Sequence, residues 1–333
     1  MTTIFATEEV TVRHTRQDPV FVIGHGRSGT SILTNLIRKY LGVAFGTESQ
    51  YFVRYYRRLS AYGDLNVEAN LERLLNDIAG ERFFARSRKF GLHLDVARAM
   101  RECQARTYAA VLDAILRQCA DAQRRARWGD KTPEYIRHLP VLLELFPRAQ
   151  FIHIVRDGRD VALSGYQTHF GCKNAYTAAR EWRTVVEEGR RFGAALPPGA
   201  FVEIRYEDLL RTPADVMARL VRFLEIDDAG GSLTAHVGQH VRADLRSGNS
   251  NKWEREMDEA DQMLFAALAG DTLRACGYKV PARLPPPPGQ LAAIYWESEN
   301  IARRLARADY WQDNLYKARL RLQHYARLAR PKA

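Results

Sequence analysis

Residues 24–31, Gly24-His25-Gly26-Arg27-Ser28-Gly29-Thr30-Ser31, lie between a short apolar run and apolar residues at helical spacing. Glycines let the backbone curl until successive N–H groups converge, and a following helix adds the positive end of its dipole, which makes a cradle for a phosphate. Gly26, Arg27, Ser28, Gly29, Thr30 and Ser31 are its candidate ligands, with Arg27 as the cation. A nucleoside-triphosphate loop needs Gly-x-x-x-x-Gly-Lys-[Ser/Thr], and here Thr30 stands where the lysine belongs. The plain alternative is a tight strand-to-helix turn that binds nothing.

A second basic junction begins at Val155-Arg156-Asp157-Gly158-Arg159-Asp160, with Ser164 eight residues after Arg156. A guanidinium at a strand end and a hydroxyl on the next helix can share a second phosphate. Arg156 reads alternatively as a salt-bridge partner of Asp157 or Asp160, and Arg159 as either a nucleotide contact or the partner of a neighbouring carboxylate.

The elements that must position these residues follow from periodicity. Residues 19–23, 151–155 and 201–204 are short apolar runs of the buried-strand kind, each leading into a loop and then a helical pattern at 31–41, 160–170 and 213–224. Between them, 65–79, 97–119, 133–146 and 174–192 read as helices. Strands alternating with long helices predict an α/β fold, a three-layer P-loop-like parallel sheet of four or five strands with helices on both faces. Ligands of such sheets bind beyond the carboxyl ends of the strands, where the loops after Ile23, Val155 and Ile204 gather. The prolines at 285–288 forbid a helix and end the core. The expected organisation is an N-terminal arm (1–18), a catalytic domain (19–284), a proline linker (285–289) and a helical C-terminal appendage (290–333). That tail carries nine Lys or Arg against four Asp or Glu, interleaved with Tyr295, Trp296, Tyr310, Trp311, Tyr316 and Tyr325. It can pack on its own core, pair with a second subunit or lie on an anionic membrane.

Composition narrows the function classes. A chain of 333 residues that is 46% apolar and 27% charged buries a core, and a net charge of +11 points to anionic partners. Cys103, Cys119, Cys172 and Cys276 have neither zinc-ligand spacing nor the density of a disulfide framework, which fits reduced thiols in the cytoplasm. The first 18 residues lack a signal-peptide apolar run and no run of about 18 apolar residues follows, so a cytoplasmic protein, at most peripheral to a membrane, is expected.

Arg27-Ser28-Gly29-Thr30-Ser31 after an apolar strand resembles the 5′-phosphosulfate loop of sulfotransferases that use 3′-phosphoadenosine 5′-phosphosulfate (PAPS). The run from Arg156 to Ser164 resembles the same family's 3′-phosphate motif. The two stand in the family's order and separation. Asp130-Lys131-Thr132-Pro133 looks like the Lys-x-Pro segment of tyrosylprotein sulfotransferases and their bacterial relatives, in which the lysine lies near the transferred group. Tyr206-Glu207-Asp208 looks like the family's Tyr-Glu-Asp, whose tyrosine contacts the adenine. Lys252-Trp253 resembles its Lys-Trp, with Asn251 where the tyrosylprotein enzymes have serine. Tyr206 and Trp253 read equally well as core aromatics. The resemblance runs from about residue 19 to residue 279 and leaves the tail unexplained.

It implies an in-line displacement at sulfur by a hydroxyl or amine of the acceptor, with PAPS as co-substrate, 3′,5′-bisphosphoadenosine as product, and a carbohydrate, lipid, phenol or peptide tyrosine as the acceptor classes. Arg27 and Lys131 would stabilise charge on the departing 5′-phosphate, and no metal is expected. Glu48 is the candidate base, twenty-one residues after Arg27, the separation at which the tyrosylprotein enzymes carry their catalytic Glu; a surface pairing with Arg54 or Arg57 is its bland alternative. His93, sixty-six residues after Arg27, is the second candidate, by resemblance to the histidine base of cytosolic sulfotransferases. The rivals are a P-loop nucleotide kinase and a basic membrane- or nucleic-acid-binding protein. No nucleic-acid-binding signature supports the latter.

Overall fold

Val20–Gly24 (β2) and Gln150–Val155 (β5) are runs with every residue buried, the pattern of strands covered on both faces. In the computed structural model, which describes residues 12–246, 248–312, 314, 315, 318 and 322, they are neighbours in a five-stranded sheet. The other members are Val43–Phe45 (β3), Arg127–Asp130 (β4) and Phe201–Arg205 (β6), in the order β3-β4-β2-β5-β6. Every pairing is parallel. Two short strands, Arg13–His14 (β1) and Ile226–Asp227 (β7), form a separate antiparallel pair.

Period-two alternation divides the core. Phe21 and Phe151 stack with ring centroids 5.6 Å apart on one face, and Trp128 and Phe146 join them under the helices built from residues 52–122 and 133–145. Val20, Val22, Ile152 and Ile154 point the other way, against the helices Thr30–Tyr40 and Pro213–Phe223. All five strands end at the same edge, so the loops after Gly24, Phe45, Asp130, Val155 and Arg205 converge there.

β4 is invisible to an apolar-run search because it reads Arg-Trp-Gly-Asp. Its charges are tolerated because they are bonded: buried Arg127 donates from Nη1 to Leu224 O (3.0 Å) and from Nη2 to Gln150 Oε1 (2.6 Å). Gly129 is required, since a Cβ there would come within 2.5 Å of the Phe45 ring. The expected helix over 97–119 is two, Val96–Glu102 and Tyr108–Ala122, divided where the Thr107 hydroxyl caps the second by accepting from Ala110 N at 3.2 Å. The segment 133–146 opens as a 3₁₀ helix, Pro133–His138, before the α-helix Leu139–Leu145.

After the prolines, helix Gln290–Leu305 packs back on the core near the start of helix Ala175–Ala194. The contact is polar: Asn300 Oδ1 accepts from Lys173 N (2.8 Å), Asn174 Nδ2 donates to Trp296 O (2.7 Å), and Arg180 pairs with Glu297 (2.5 Å). Leu291, Ile294, Ile301 and Leu305 are left exposed on this helix. Residues 1–11 of the expected arm, and Tyr316 and Tyr325 of the tail, lie outside the described residues. No described helix is long and apolar enough to cross a membrane.

Candidate active site

The turn after β2 takes the shape its sequence demands. Arg27 (φ 72°) and Gly29 (φ 96°) are both left-handed, and a Cβ on Gly29 would strike the Tyr206 ring at 2.4 Å. The helix that follows, Thr30–Tyr40, has no side-chain cap and no acidic residue in its first turn, so its leading N–H groups face the loop without a competing carboxylate. Ser28 is buried and its hydroxyl has no partner. A buried donor left unpaired is costly, and an oxyanion supplies the missing acceptor.

The two basic junctions meet. Arg27 Nε donates to Ser164 Oγ at 2.9 Å, across 137 residues of chain, which leaves the serine proton free to donate elsewhere. Arg156 reaches under the first loop and donates from Nη1 to Arg27 O (3.2 Å) and from Nη2 to Asn249 O (2.8 Å), while its Nε is buried and unpartnered. Its guanidinium lies over the Tyr206 ring, 4.7 Å from the centroid, and the Tyr206 hydroxyl accepts from Asn249 Nδ2 at 2.8 Å. The pairing with Asp160 is long, 3.5 Å, so the salt-bridge alternative accounts for little of Arg156. For Arg159 it accounts for nearly everything: Asp157 takes its Nε (2.9 Å) and Nη2 (2.7 Å). The same guanidinium lies 3.4 Å from the Trp253 ring centroid.

Glu48 and Lys131 come together as well. Lys131 Nζ lies 2.6 Å from Glu48 Oε1 and 3.3 Å from Ser31 Oγ, at the first turn of the helix that leaves the cradle. The alternative partner Arg54 is instead paired with Glu81 (2.7 Å). Trp253 is buried, with its backbone N–H held by Asp160 Oδ1 at 3.0 Å; Lys252 is half-buried at the start of the short helix Trp253–Glu256, and Asn251 is exposed in a left-handed turn.

His93 is placed elsewhere. It is exposed in a turn whose neighbours bind helix Tyr108–Ala122 (Asp95 N to Gln118 Oε1, 2.8 Å) and whose preceding Phe90 lies under Arg38 at 4.5 Å. Arg38 is two turns along its helix from the cradle, about 12 Å at 1.5 Å per residue.

Several site neighbours escaped the sequence. Asn249 lies in an irregular loop with no motif. His25 Nδ1 is 2.7 Å from Gly26 O, and its Nε2 is 4.0 Å from Glu181 Oε1. Glu181 also accepts from Arg137 Nη2 (3.1 Å) and from Cys172 Sγ (2.9 Å). Burial, the largest influence, lowers the His25 pKa and keeps the imidazole neutral. Burial with the adjacent Glu181 pushes the Cys172 thiol up to about 12, so it is no nucleophile.

Two adjoining basic junctions with a carboxylate–ammonium pair beside them suit a nucleotide-dependent group transfer. The sequence model of the sulfotransferase family matches residues 19–229. The chain belongs to the sulfotransferase family. The matched span includes every residue from Arg27 to Tyr206 discussed above and leaves Lys252 and Trp253 outside. Family membership sets aside the nucleotide-kinase and nucleic-acid-binding alternatives.

The fold is similar to that of the sulfotransferase domain from the Synechococcus PCC 7002 olefin synthase, with a TM-score of 0.50 and 23% identity over 80% of this chain and 98% of that one. The sulfotransferase domain from the curacin biosynthetic pathway is similar to the same degree, with a TM-score of 0.50 and 18% identity over 80% and 99%. Among curated relatives, an uncharacterized protein of Aquifex aeolicus (strain VF5) is 28% identical over 147 residues, 38% of this chain and 19% of that protein. The omega-hydroxy-beta-dihydromenaquinone-9 sulfotransferase Stf3 of Mycobacterium tuberculosis (strain CDC 1551 / Oshkosh) is 33% identical over 113 residues, 29% of this chain and 28% of the enzyme. The chain spans less than a third of the length of the curated relatives it matches.

Proposed function

We propose that the protein transfers the sulfuryl group of PAPS to a hydroxyl of its acceptor and releases 3′,5′-bisphosphoadenosine. The observation that carries this reading is the 2.9 Å contact between Arg27 and Ser164, which joins the two phosphate motifs into one site. The loop N–H groups of residues 26–31 and the Arg27 guanidinium suit the 5′-phosphosulfate. The free Nε of Arg156 and the free proton of Ser164 suit the 3′-phosphate. Tyr206 and Asn249 hold Arg156 in place, and the family resemblance assigns Tyr206 to the adenine and Lys252-Trp253 to the nucleotide.

In the reaction the Glu48 carboxylate takes the acceptor O–H proton as the acceptor oxygen attacks sulfur. The sulfur–oxygen bond to the 5′-phosphate breaks, and its electron pair stays on the phosphate, where Arg27 and Lys131 meet the developing charge. The Glu48–Lys131 pair is ready for this exchange: as Lys131 turns to the transferring group, Glu48 is released to act as base. Kinship with the tyrosylprotein enzymes rests on this pair and on Lys131-Thr132-Pro133. Among acceptor classes, the relative Stf3 is named for a hydroxylated menaquinone, and a screen of extracts with labelled PAPS, read by mass spectrometry, identifies the acceptor of this chain.

For the tail, the exposed Leu291, Ile294, Ile301 and Leu305 suit a second subunit better than an anionic membrane. Among the described residues of the tail the cations are already engaged, Arg303 with Glu299 (2.6 Å), Arg307 with Asp309 (2.7 Å) and Arg304 over Tyr310 (5.3 Å).

The base assignment is tested by Glu48→Gln, which is expected to cut turnover by roughly 10² to 10⁴ and leave 3′,5′-bisphosphoadenosine binding within a few-fold. His93→Ala is expected to change neither. Turnover retained in Glu48→Gln and lost in a folded His93→Ala would reverse the assignment.

A further inference from the structure

Beneath the Glu48–Lys131 pair lies a buried polar cluster that the transfer chemistry leaves unused. Asp130 ends β4 immediately before Lys131, and Ser49 follows immediately after Glu48; the two are 2% and 4% exposed, and Thr132 is 1% exposed. Hydrogen bonds join the turns. Phe52 N donates to the Tyr135 hydroxyl (3.0 Å), which lies 2.7 Å from Ser49 Oγ, and the Ser49 and Thr132 hydroxyls, 3.4 Å apart, both face the Asp130 carboxyl. Ser49 N donates in turn to Thr132 Oγ1 at 3.1 Å. Asp130 Oδ1 is left without a partner, as is the nearby buried hydroxyl of Tyr51.

A sealed carboxyl with one unpaired oxygen is tolerated far better carrying a proton than carrying a charge. We propose that Asp130, in its neutral form, is a positioning residue for sulfuryl transfer: it clamps the turn after β3 to the turn after β4 and so holds Glu48 against Lys131 at the mouth of the cradle. The inference rests on the roles given above to Glu48 and Lys131.

The surroundings decide which charge state serves. The groups that face Asp130 are Lys131 and Glu48 at the strand ends, Tyr51 and Tyr135 from the flanking turns, and Cys119 from helix Tyr108–Ala122. Lys131 is the single cation in that set, and it is engaged with Glu48. Burial, the largest influence, pushes the Asp130 carboxyl up to about 7, against the opposing hydroxyls and Lys131. Below that pH the lysine belongs to Glu48 and the transferring group. Above it two carboxylates compete for one lysine, and the pair is drawn away from the cradle.

The test uses the full chain and follows labelled sulfate released from PAPS to water, at saturating PAPS across pH 6 to 9, beside calorimetry with 3′,5′-bisphosphoadenosine. The wild type is expected to lose about threefold or more in rate as pH rises from 7 to 8.5, with bisphosphate affinity changing less. Asp130→Asn, permanently neutral and nearly isosteric, should keep the rate at pH 6.5 within about threefold and remove that limb, an outcome a merely structural residue would not give. Asp130→Ala should lose about tenfold at every pH. If Asp130→Ala does not fold, Tyr135→Phe cuts the same hydrogen bonds and should lower the rate while keeping the limb. Wild-type and Asp130→Asn profiles of the same shape overturn this inference alone. A wild type that does not bind the bisphosphate overturns the nucleotide reading, and this inference with it.

Discussion

Replacing Arg156 by alanine separates the two phosphate subsites more sharply than any other single change. Arg156 already spends one Nη1 proton on Arg27 O and Nη2 on Asn249 O and, at 3.5 Å, Asp160, so the donors left for a 3′-phosphate are Nε and the second Nη1 proton, with the charge of the whole guanidinium behind them. One hydrogen bond to a charged group is worth about 1.5 to 3 kcal/mol, or roughly ten- to 150-fold in affinity. The same substitution frees Arg27 O and uncovers the Tyr206 ring, which loosens the 5′ loop and costs every nucleotide about 1 kcal/mol, near fivefold. The ratio of losses is therefore the readout. Titration calorimetry should find 3′,5′-bisphosphoadenosine weakened about ten- to 150-fold beyond the loss suffered by 5′-AMP, which lacks the 3′-phosphate. Arg156→Lys, which keeps the charge without the two-carbonyl grip, should fall between. Equal losses for the two nucleotides would refute the assignment, because Arg156 would then act on the loop alone.

Two further outcomes follow from geometry away from the nucleotide. A chain ending at Leu284 loses the bonds that Lys173 and Asn174 make to helix Gln290–Leu305, and should be less stable in urea by about 1 to 3 kcal/mol and change from dimer to monomer by light scattering; unchanged stability and mass would count against both roles of the tail. Burial alone would raise the Glu203 carboxyl, but hydrogen bonds from His153 and Arg190 outweigh it and hold the pKa near 2 against an ordinary 4.5, so the stability it contributes is present above pH 4.5 and lost as pH falls towards 2. Glu203→Gln should accordingly cost up to about 3 kcal/mol at pH 7, with the gap to wild type closing as the denaturation pH is lowered from 5 to 3.

Local sequence was enough for everything that one segment of chain decides by itself. The cradle is legible because its glycines and Arg27 sit between a buried-type strand and a helix, and a backbone that must turn left-handed at Gly29 leaves little choice of residue. Arg156 and Ser164 are legible because a strand-to-helix junction fixes both within nine residues. The parallel sheet follows from apolar runs alternating with helices, and the pairing found for β2, β5 and β6 is the one that alternation implies.

What depends on segments far apart in the chain was settled only by packing. β4 is held by Arg127 bonding to residues 23 and 97 positions away, so its polar composition hides it from any local reading. Arg159 and Arg156 look alike in sequence, and only the folded surroundings give one to Asp157 and leave the other with a free Nε. Spacing alone does not separate Glu48 from His93, whereas β3 and β4, paired side by side, bring Glu48 within 2.6 Å of Lys131 and leave His93 in an exposed loop. Asp130 carries no such signal in the chain: its carboxyl is pushed up to about 7 only because the folded turns around Ser49, Thr132 and Tyr135 bury it. Sequence fixes short-range geometry through backbone sterics and periodicity, whereas charge state and partnership come from desolvation and long-range contact, which exist only in the assembled sheet.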